Sequence, residues 1–299
     1  GTYALDSFRR QGSYGAVLVA ALRRAGVTPD SCLPEYGARQ FEYTVAPAVG
    51  LRAADDAIIA REMARAVAHR LGHRAILAPI LSPDGIGNGT HIHLSLEDHA
   101  GATALYDPAA PDGLSDIGRH FAAGILHHMP ALAAVTAPSV ASYIRLRPNR
   151  WAPTWASLGA GDRGSALRIC PIFAPETPDD AARQFNIEYR VADATASPYM
   201  ALGAIVHAGT DGIRRKLVPP AVPAVEFWSM TDAARAAAGI PRLPASLAEA
   251  LAALAATEAA PRWFGPRLLD CYLRLKRAEI AALDGLGEAA ICARYADAY

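Results

Sequence analysis

The chain is 299 residues long and carries 29 acidic and 29 basic side chains, so no net charge draws it toward nucleic acid or an anionic membrane surface. Its length allows a large core in one domain or two. The four cysteines, Cys32, Cys170, Cys271 and Cys292, include no CxxC pair and suit reduced thiols better than a disulfide framework. No apolar run is long enough to span a bilayer and no secretion signal opens the chain, so a soluble, cytoplasmic protein is expected.

In chain order, apolar residues at helical spacing from Phe8 to Gly26 predict a helix that ends at Gly26, and Val27 to Cys32 turns toward a strand. Glu35 to Val45 reads as a glycine-broken loop and then a strand, and alanine-rich periodicity predicts a helix over 53–71. Ile76 to Leu81 reads as a buried strand and Pro83 to Gly89 as a loop opening onto a further strand. Ser115 to His128 reads as a helix stopped by Pro130, with a short second helix over 131–135. The region from Pro138, with Asn149, Arg150, Trp151 and Pro153, reads as a loop over the site. Strands are expected at 165–172 and 186–191, a helix from Ser197 to about Lys216 with Pro198 in its first turn, and a helical C-terminal third.

The chemistry centres on Ile86-Gly87-Asn88-Gly89-Thr90-His91-Ile92-His93-Leu94-Ser95-Leu96. A glycine turn lets backbone approach a polar ligand. In a strand, His91, His93 and Ser95 share one face, and Ile92, Leu94 and Leu96 share the other. That pattern fits the floor of a cleft or a half-exposed strand with surface histidines, and the alternation leaves both open. Glu35 and Glu42 bracket the first loop and strand, while Glu188 and Arg190 share a strand face. Arg145, Arg163 and Arg168 add positive charge. Carboxylates with imidazole suit magnesium or manganese, and arginines suit carboxylate or phosphate oxygens. The set suggests phosphoryl transfer from a metal-bound nucleotide by an anion-handling α/β enzyme. Each residue taken singly is equally compatible with a solvated or surface-paired side chain.

The glycine-histidine segment resembles the signature of the glutamine synthetase family, and further motifs follow in that family's order. Glu35 to Glu42 resembles its metal-binding pair, and Pro138-Ser139-Val140-Ala141-Ser142-Tyr143-Ile144-Arg145-Leu146 resembles its Pro-Ser/Thr-Val-Asn-Ser-Tyr-Lys-Arg-Leu. Arg163 to Arg168 resembles its arginine turn, and Ile187-Glu188-Tyr189-Arg190 with Ser197-Pro198-Tyr199 resembles its Ile-Glu-x-Arg and Asn-Pro-Tyr. The resemblance covers the whole chain. It implies an α+β fold, a curved and mostly antiparallel sheet flanked by helices, with residues 1–299 forming one catalytic domain.

The same resemblance implies that Glu35 and Glu42 bind one metal, Mg2+ or Mn2+, and that His91 and Glu188 bind a second one beside the nucleotide. His93, Arg145 and Arg190 would handle a glutamate-like acid, with the Gly87 backbone lining its site. Ser95, Arg163 and Arg168 would hold ATP, and Arg145, Arg163 and Arg190 would serve the chemistry. The implied reaction phosphorylates a side-chain carboxylate with ATP and lets an amine displace phosphate.

Departures refine the expectation. Trp151 stands where glutamine synthetases carry a flap glutamate that helps bind and deprotonate ammonium, which favours a larger amine as in family members acting on polyamines, ethanolamine or alkylamines. Asn186, Ile86, Pro34 and Arg39 also depart from the family pattern. The family's N-terminal β-grasp domain and following Glu-x-Glu strand have no counterpart in this sequence, so it reads as N-terminally incomplete. Low or no catalysis by this chain alone is expected, without the family's homo-oligomeric ring. The principal reading is an ATP-dependent glutamate-amine ligase. The alternatives are glutamine synthetase itself, using ammonium, and a catalytically silent binding or structural protein of the same family.

Overall fold

A computed structural model describes residues 5–10, 12–148, 150–222 and 229–299. Two short helices, α1 (Leu5–Arg10) and α2 (Tyr14–Arg24), replace the single expected helix, because the chain turns at Gly12 with a φ of 65°. The C-terminal end of α2 matches expectation: Gly26, with a φ of 79°, supplies the left-handed turn that bulkier residues resist. The hairpin β1 (Pro29–Pro34) and β2 (Phe41–Val45) pairs antiparallel and lies beside α3 (Leu51–Arg70). Leu18, Leu22, Val27, Ala60, Ala64 and Val67 form a buried cluster here, with Tyr43 and Val45 packed against it.

The second sheet runs β3-β6-β5-β4, formed by β3 (Ile92–Leu94), β4 (Leu158–Ala160), β5 (Leu167–Ile169) and β6 (Ile187–Tyr189). The pairs β3 with β6 and β6 with β5 are antiparallel, and β5 with β4 is parallel. Its apolar back joins the central core, where Leu158, Leu167, Ile187 and Tyr189 meet α4 (Asp116–Thr136) and α7 (Pro198–Arg215). Each such buried aliphatic side chain contributes about 1.5–3 kcal/mol. Tyr189 satisfies its buried hydroxyl on Thr136 Oγ1 at 2.9 Å.

Three expectations are corrected. α4 runs unbroken through Pro130 rather than stopping there. Residues 121–126 and 131–136 are buried on nearly every side, so packing outweighs the missing backbone donor. A strand over 76–81 does not form; only Ile80 bridges, to Gly87. The segment is instead held by the C-terminal helix α12 (Glu288–Ala298), since Leu77 donates its N–H to the Tyr299 carbonyl at 2.7 Å. Residues 138–146 are core rather than a loop over the site. They include the single turn α5 (Ser142–Arg145), and Ala141 and Ile144 pack against Ala78, Ile80, Leu283, Ile291 and Tyr295. From that region Arg145 and the stretch after Leu146 reach a cleft, and Asn149 within that stretch lies outside the described residues.

The helix from Ser197 is observed as expected, and the C-terminal third is helical: α8 (Asp232–Ala237), α9 (Leu247–Ala256), α10 (Ala260–Phe264), α11 (Pro266–Ala282) and α12. α4 and α7 cross closely because Gly124 and Gly212 meet at the crossing, where a Cβ on Gly212 would sit 2.1 Å from the His120 carbonyl oxygen. No helix among the described residues is long and apolar enough to cross a membrane.

Candidate active site

Strand register places the polar groups before any side-chain contact is considered. In the second sheet His93 lies opposite Glu188, and Glu188 lies opposite Arg168. Directly opposed residues share a face, and so do residues two apart along a strand. His91, His93, Glu188, Arg190 and Arg168 therefore cover one side of the sheet. On the other side Ile92, Leu94 and Leu96 pack against the central core. His91, His93 and Ser95 are exposed and line a large open cleft of about 3640 Å3.

Glu188 is the hub. It is 2 % exposed, and its carboxylate stands 2.6 Å from Arg190 Nη1, 2.5 Å from Arg168 Nε and 3.0 Å from His91 Nδ1. Burial alone would raise this carboxyl, but the hydrogen bond with His91 and the charges of His91, Arg190 and Arg168 hold it down at about 2. It is ionised at any physiological pH. His91 moves below its ordinary value because burial disfavours the imidazolium, so its neutral, ligand-competent form predominates near neutrality.

His93 points past this cluster, its Nε2 3.9 Å from Glu188 Oε1 and its Nδ1 2.8 Å from Asn186 Oδ1. Asn186 thereby fixes the ring, and Cys170 Sγ lies 3.6 Å from the same nitrogen.

Arg145 is only 3 % exposed, and it donates through Nη2 to the Val191 and Ala192 carbonyls, the latter at 3.1 Å. Burial lowers its pKa from the ordinary arginine value while the Asp193 charge opposes that shift. The guanidinium stem lies under the glycine turn, where a Cβ on Gly87 would sit 2.6 Å from Arg145 Cγ and one on Gly89 2.9 Å from Arg145 Nη1. Only glycine lets the turn lie this close. Gln40 ties the same turn to the first hairpin, donating to the Gly87 carbonyl at 3.0 Å and to Asn88 Oδ1 at 2.5 Å.

Across the cleft, Glu42 on β2 is pushed up to about 7 by burial, by a hydrogen bond with Glu35, and by the nearby charges of Glu35 and Glu188, with Arg163 opposing. Arg163 is exposed in the turn before β5, and Ser95 is exposed beyond β3; both line the cleft. At its mouth Trp151 is 65 % exposed and packs on Tyr36, with ring centroids 4.4 Å apart.

Among the described residues no three His, Cys, Asp or Glu side chains are grouped closely enough to hold a metal ion. The candidate ligands come instead as two pairs, Glu35 with Glu42 and His91 with Glu188. Glu35 and Glu42 offer the carboxylate oxygens that a magnesium-like cation takes, whereas the Glu188 carboxylate already faces His91, Arg190 and Arg168.

The structure thus gathers His91, His93, Glu188, Arg190 and Arg168 into one cluster, sets Gly87 on Arg145 beside it, and places Glu35, Glu42, Arg163, Ser95 and Trp151 around the same cleft. Sequence reasoning missed Asn186 as the partner of His93, although its alternation with Glu188 and Arg190 signals the shared face. Gln40 gave no comparable signal, because its partners lie 47 and 48 residues away.

The model of the glutamine synthetase catalytic domain matches residues 1–295. The gamma-glutamylpolyamine synthetase of Streptomyces coelicolor is 36% identical over 285 residues, covering 94% of this chain and 59% of that protein. A crystal structure of a novel glutamine synthase homolog superposes with a TM-score of 0.90 at 41% identity, covering 100% of this chain and 66% of that one. A GmaS complex with ADP superposes with a TM-score of 0.83 at 28% identity, covering 96% of this chain and 64% of that one. This chain therefore spans about 59% of the curated relative and about two thirds of the solved chains it matches. By the domain match and these likenesses together, the chain belongs to the glutamine synthetase catalytic-domain family.

Proposed function

We propose that this chain is the catalytic part of an ATP-dependent ligase that joins the side-chain carboxylate of glutamate, or a similar acid, to an amine. The observation that carries the reading is the row of His93, Glu188 and Arg168 on one sheet face, with His91 and Arg190 beside it and the Arg145-backed glycine turn next to it. Such a face brings together the charges needed to hold two anions side by side. The polyamine-ligating relative and the ADP-bound neighbour support the amine and nucleotide assignments.

In this reading Arg163 and Arg168 with Ser95 hold the nucleotide phosphates, while His93, Arg145 and Arg190 orient the acid over the Gly87 backbone. A carboxylate oxygen of the acid attacks the terminal phosphorus, the bond to ADP breaks, and an acyl phosphate forms. The amine nitrogen then attacks the acyl carbon, inorganic phosphate leaves, and the nitrogen loses a proton. Arg190, Arg145 and Arg163 offset the charge that accumulates. Divalent cations held by Glu35 with Glu42 and by His91 with Glu188 would screen the phosphates from the acid's own charge.

Trp151 at the mouth supports an amine larger than ammonium, since an indole supplies an apolar, cation-tolerant face. The test is a phosphate-release assay with glutamate, ATP, Mg2+ or Mn2+ and a panel of amines. Turnover with alkylamines, diamines or polyamines supports the reading. Turnover with ammonium alone makes the protein a glutamine synthetase. None with any amine, even from a chain extended upstream of residue 1, favours a silent family member.

A further inference from the structure

The rim of the cleft carries two aromatic rings that the phosphoryl chemistry does not use. Tyr36 and Trp151 are 49 % and 65 % exposed, and their rings tilt at 51° with centroids 4.4 Å apart. Trp151 adopts a φ of 52°, a left-handed conformation that a bulky side chain rarely takes and that other contacts must hold. The preceding residue does so: Arg150 Nη1 donates to the Gly85 carbonyl at 3.3 Å, with its other amino group 3.9 Å from Asp84. The indole is thereby fastened to the loop leading into Gly87. Tyr36 is fixed from the other side, since its backbone N–H donates to Glu35 Oε2 at 2.9 Å, beside the Glu35 and Glu42 pair. Two aromatic faces beside the Glu35 carboxylate favour a cation over an anion.

We infer that Tyr36 and Trp151 form a subsite for the distal ammonium of a diamine or polyamine whose other nitrogen reaches the acyl group. This rests on the ligase reading, and it adds a chemical requirement to it. A nitrogen that attacks an acyl phosphate needs a free lone pair, whereas a π face and carboxylates stabilise the protonated form. The nitrogen held at the rings therefore cannot be the attacking one, and the substrate needs two. Tyr36 acts through its ring face, not its hydroxyl.

The test compares putrescine with butylamine, which has the same chain length and a methyl in place of the distal ammonium. The ratio of kcat/KM for putrescine to that for butylamine should favour putrescine in the native chain. It should fall about tenfold in Tyr36→Ala and in Trp151→Ala, and be retained in Tyr36→Phe. The Tyr36 N–H that holds Glu35 is backbone, so Tyr36→Ala leaves that contact in place. Calorimetric titration with putrescine in the absence of ATP provides a readout independent of turnover, and both alanine variants should weaken binding at least fivefold. Turnover with an unchanged ratio in both alanine variants overturns the subsite and leaves the ligase reading standing. No turnover, with putrescine binding weakened at least fivefold in both alanine variants, upholds the subsite through binding alone. Failure of the native chain to bind or prefer putrescine overturns the subsite.

Discussion

Replacing Glu188 with glutamine keeps its volume but leaves Arg168 and Arg190 without their counter-ion. Both arginine side chains are largely buried, at 12 % and 6 % exposure, and the carboxylate is 2 % exposed, so water replaces little of what is lost. A carboxyl held at about 2 rather than at its ordinary 4.5 favours the folded, ionised form by about 3 kcal/mol at neutral pH. Removing one partner of a buried pair costs about the same. The depressed folded pKa sets the sign: this stabilisation is full above about pH 4.5 and is lost as pH falls through about 2. Urea unfolding followed by intrinsic fluorescence, with chelator present, should show Glu188→Gln about 3 kcal/mol less stable than the native chain at pH 7. The gap should narrow below about pH 4.5. As a control, Asp270→Asn removes an exposed ion pair with Arg274, at 62 % and 76 % exposure, and should change stability by less than about 0.5 kcal/mol. A Glu188→Gln loss under about 1 kcal/mol, or a gap independent of pH, would refute the reasoning.

Glu42 should behave with the opposite sign. Its folded pKa of about 7 makes the native chain lose stability as pH rises from about 4.5 to 7, and Glu42→Gln should flatten that slope; because the group is only partly buried, the gain at pH 8 should be about 1–2 kcal/mol. Magnesium should reduce the same slope in the native chain and not in the variant, as read by denaturant midpoints across pH. Gly212→Ala should force α4 and α7 apart and destabilise by at least about 2 kcal/mol, or abolish soluble expression; an unchanged melting temperature would contradict the close crossing. Asn186→Ala frees His93 Nδ1 and should raise KM for the acid more than it raises KM for ATP, with stability within about 1 kcal/mol of native. Equal effects on both constants would remove Asn186 as a positioning residue.

Much of the site was legible because its residues obey a period of two. His91 and His93 alternate with Ile92 and Leu94, Glu188 and Arg190 alternate with buried Ile187 and Tyr189, and these local patterns survive folding intact. What sequence could not supply was the cross-strand register that sets Arg168 on Glu188, or the long-range tie of Gln40 to Asn88. The fold-level errors have one cause. Local propensity misreads Pro130 and the 138–146 segment because tertiary burial decides both: α4 is enclosed by the central core, which also takes Tyr143 and Leu146, while Ala141 and Ile144 are held by the C-terminal cluster. The strand expected over 76–81 fails for the same reason, since its backbone partner is Tyr299 and not a neighbouring strand.

That last contact bears on how the protein comes off the ribosome. The segment over 76–80 leads into the glycine turn, yet its Leu77 N–H is satisfied by Tyr299, and Arg65 on α3 donates to the same carbonyl across 234 residues. Residues of the nascent chain emerge in order, so the segment beneath the cleft waits for almost the whole domain to be synthesised before it can be secured. Until then Ala78 and Ile80 lack Ile291 and Tyr295 as cover. A chain stalled before α12 would therefore leave the apolar underside of the cleft uncovered.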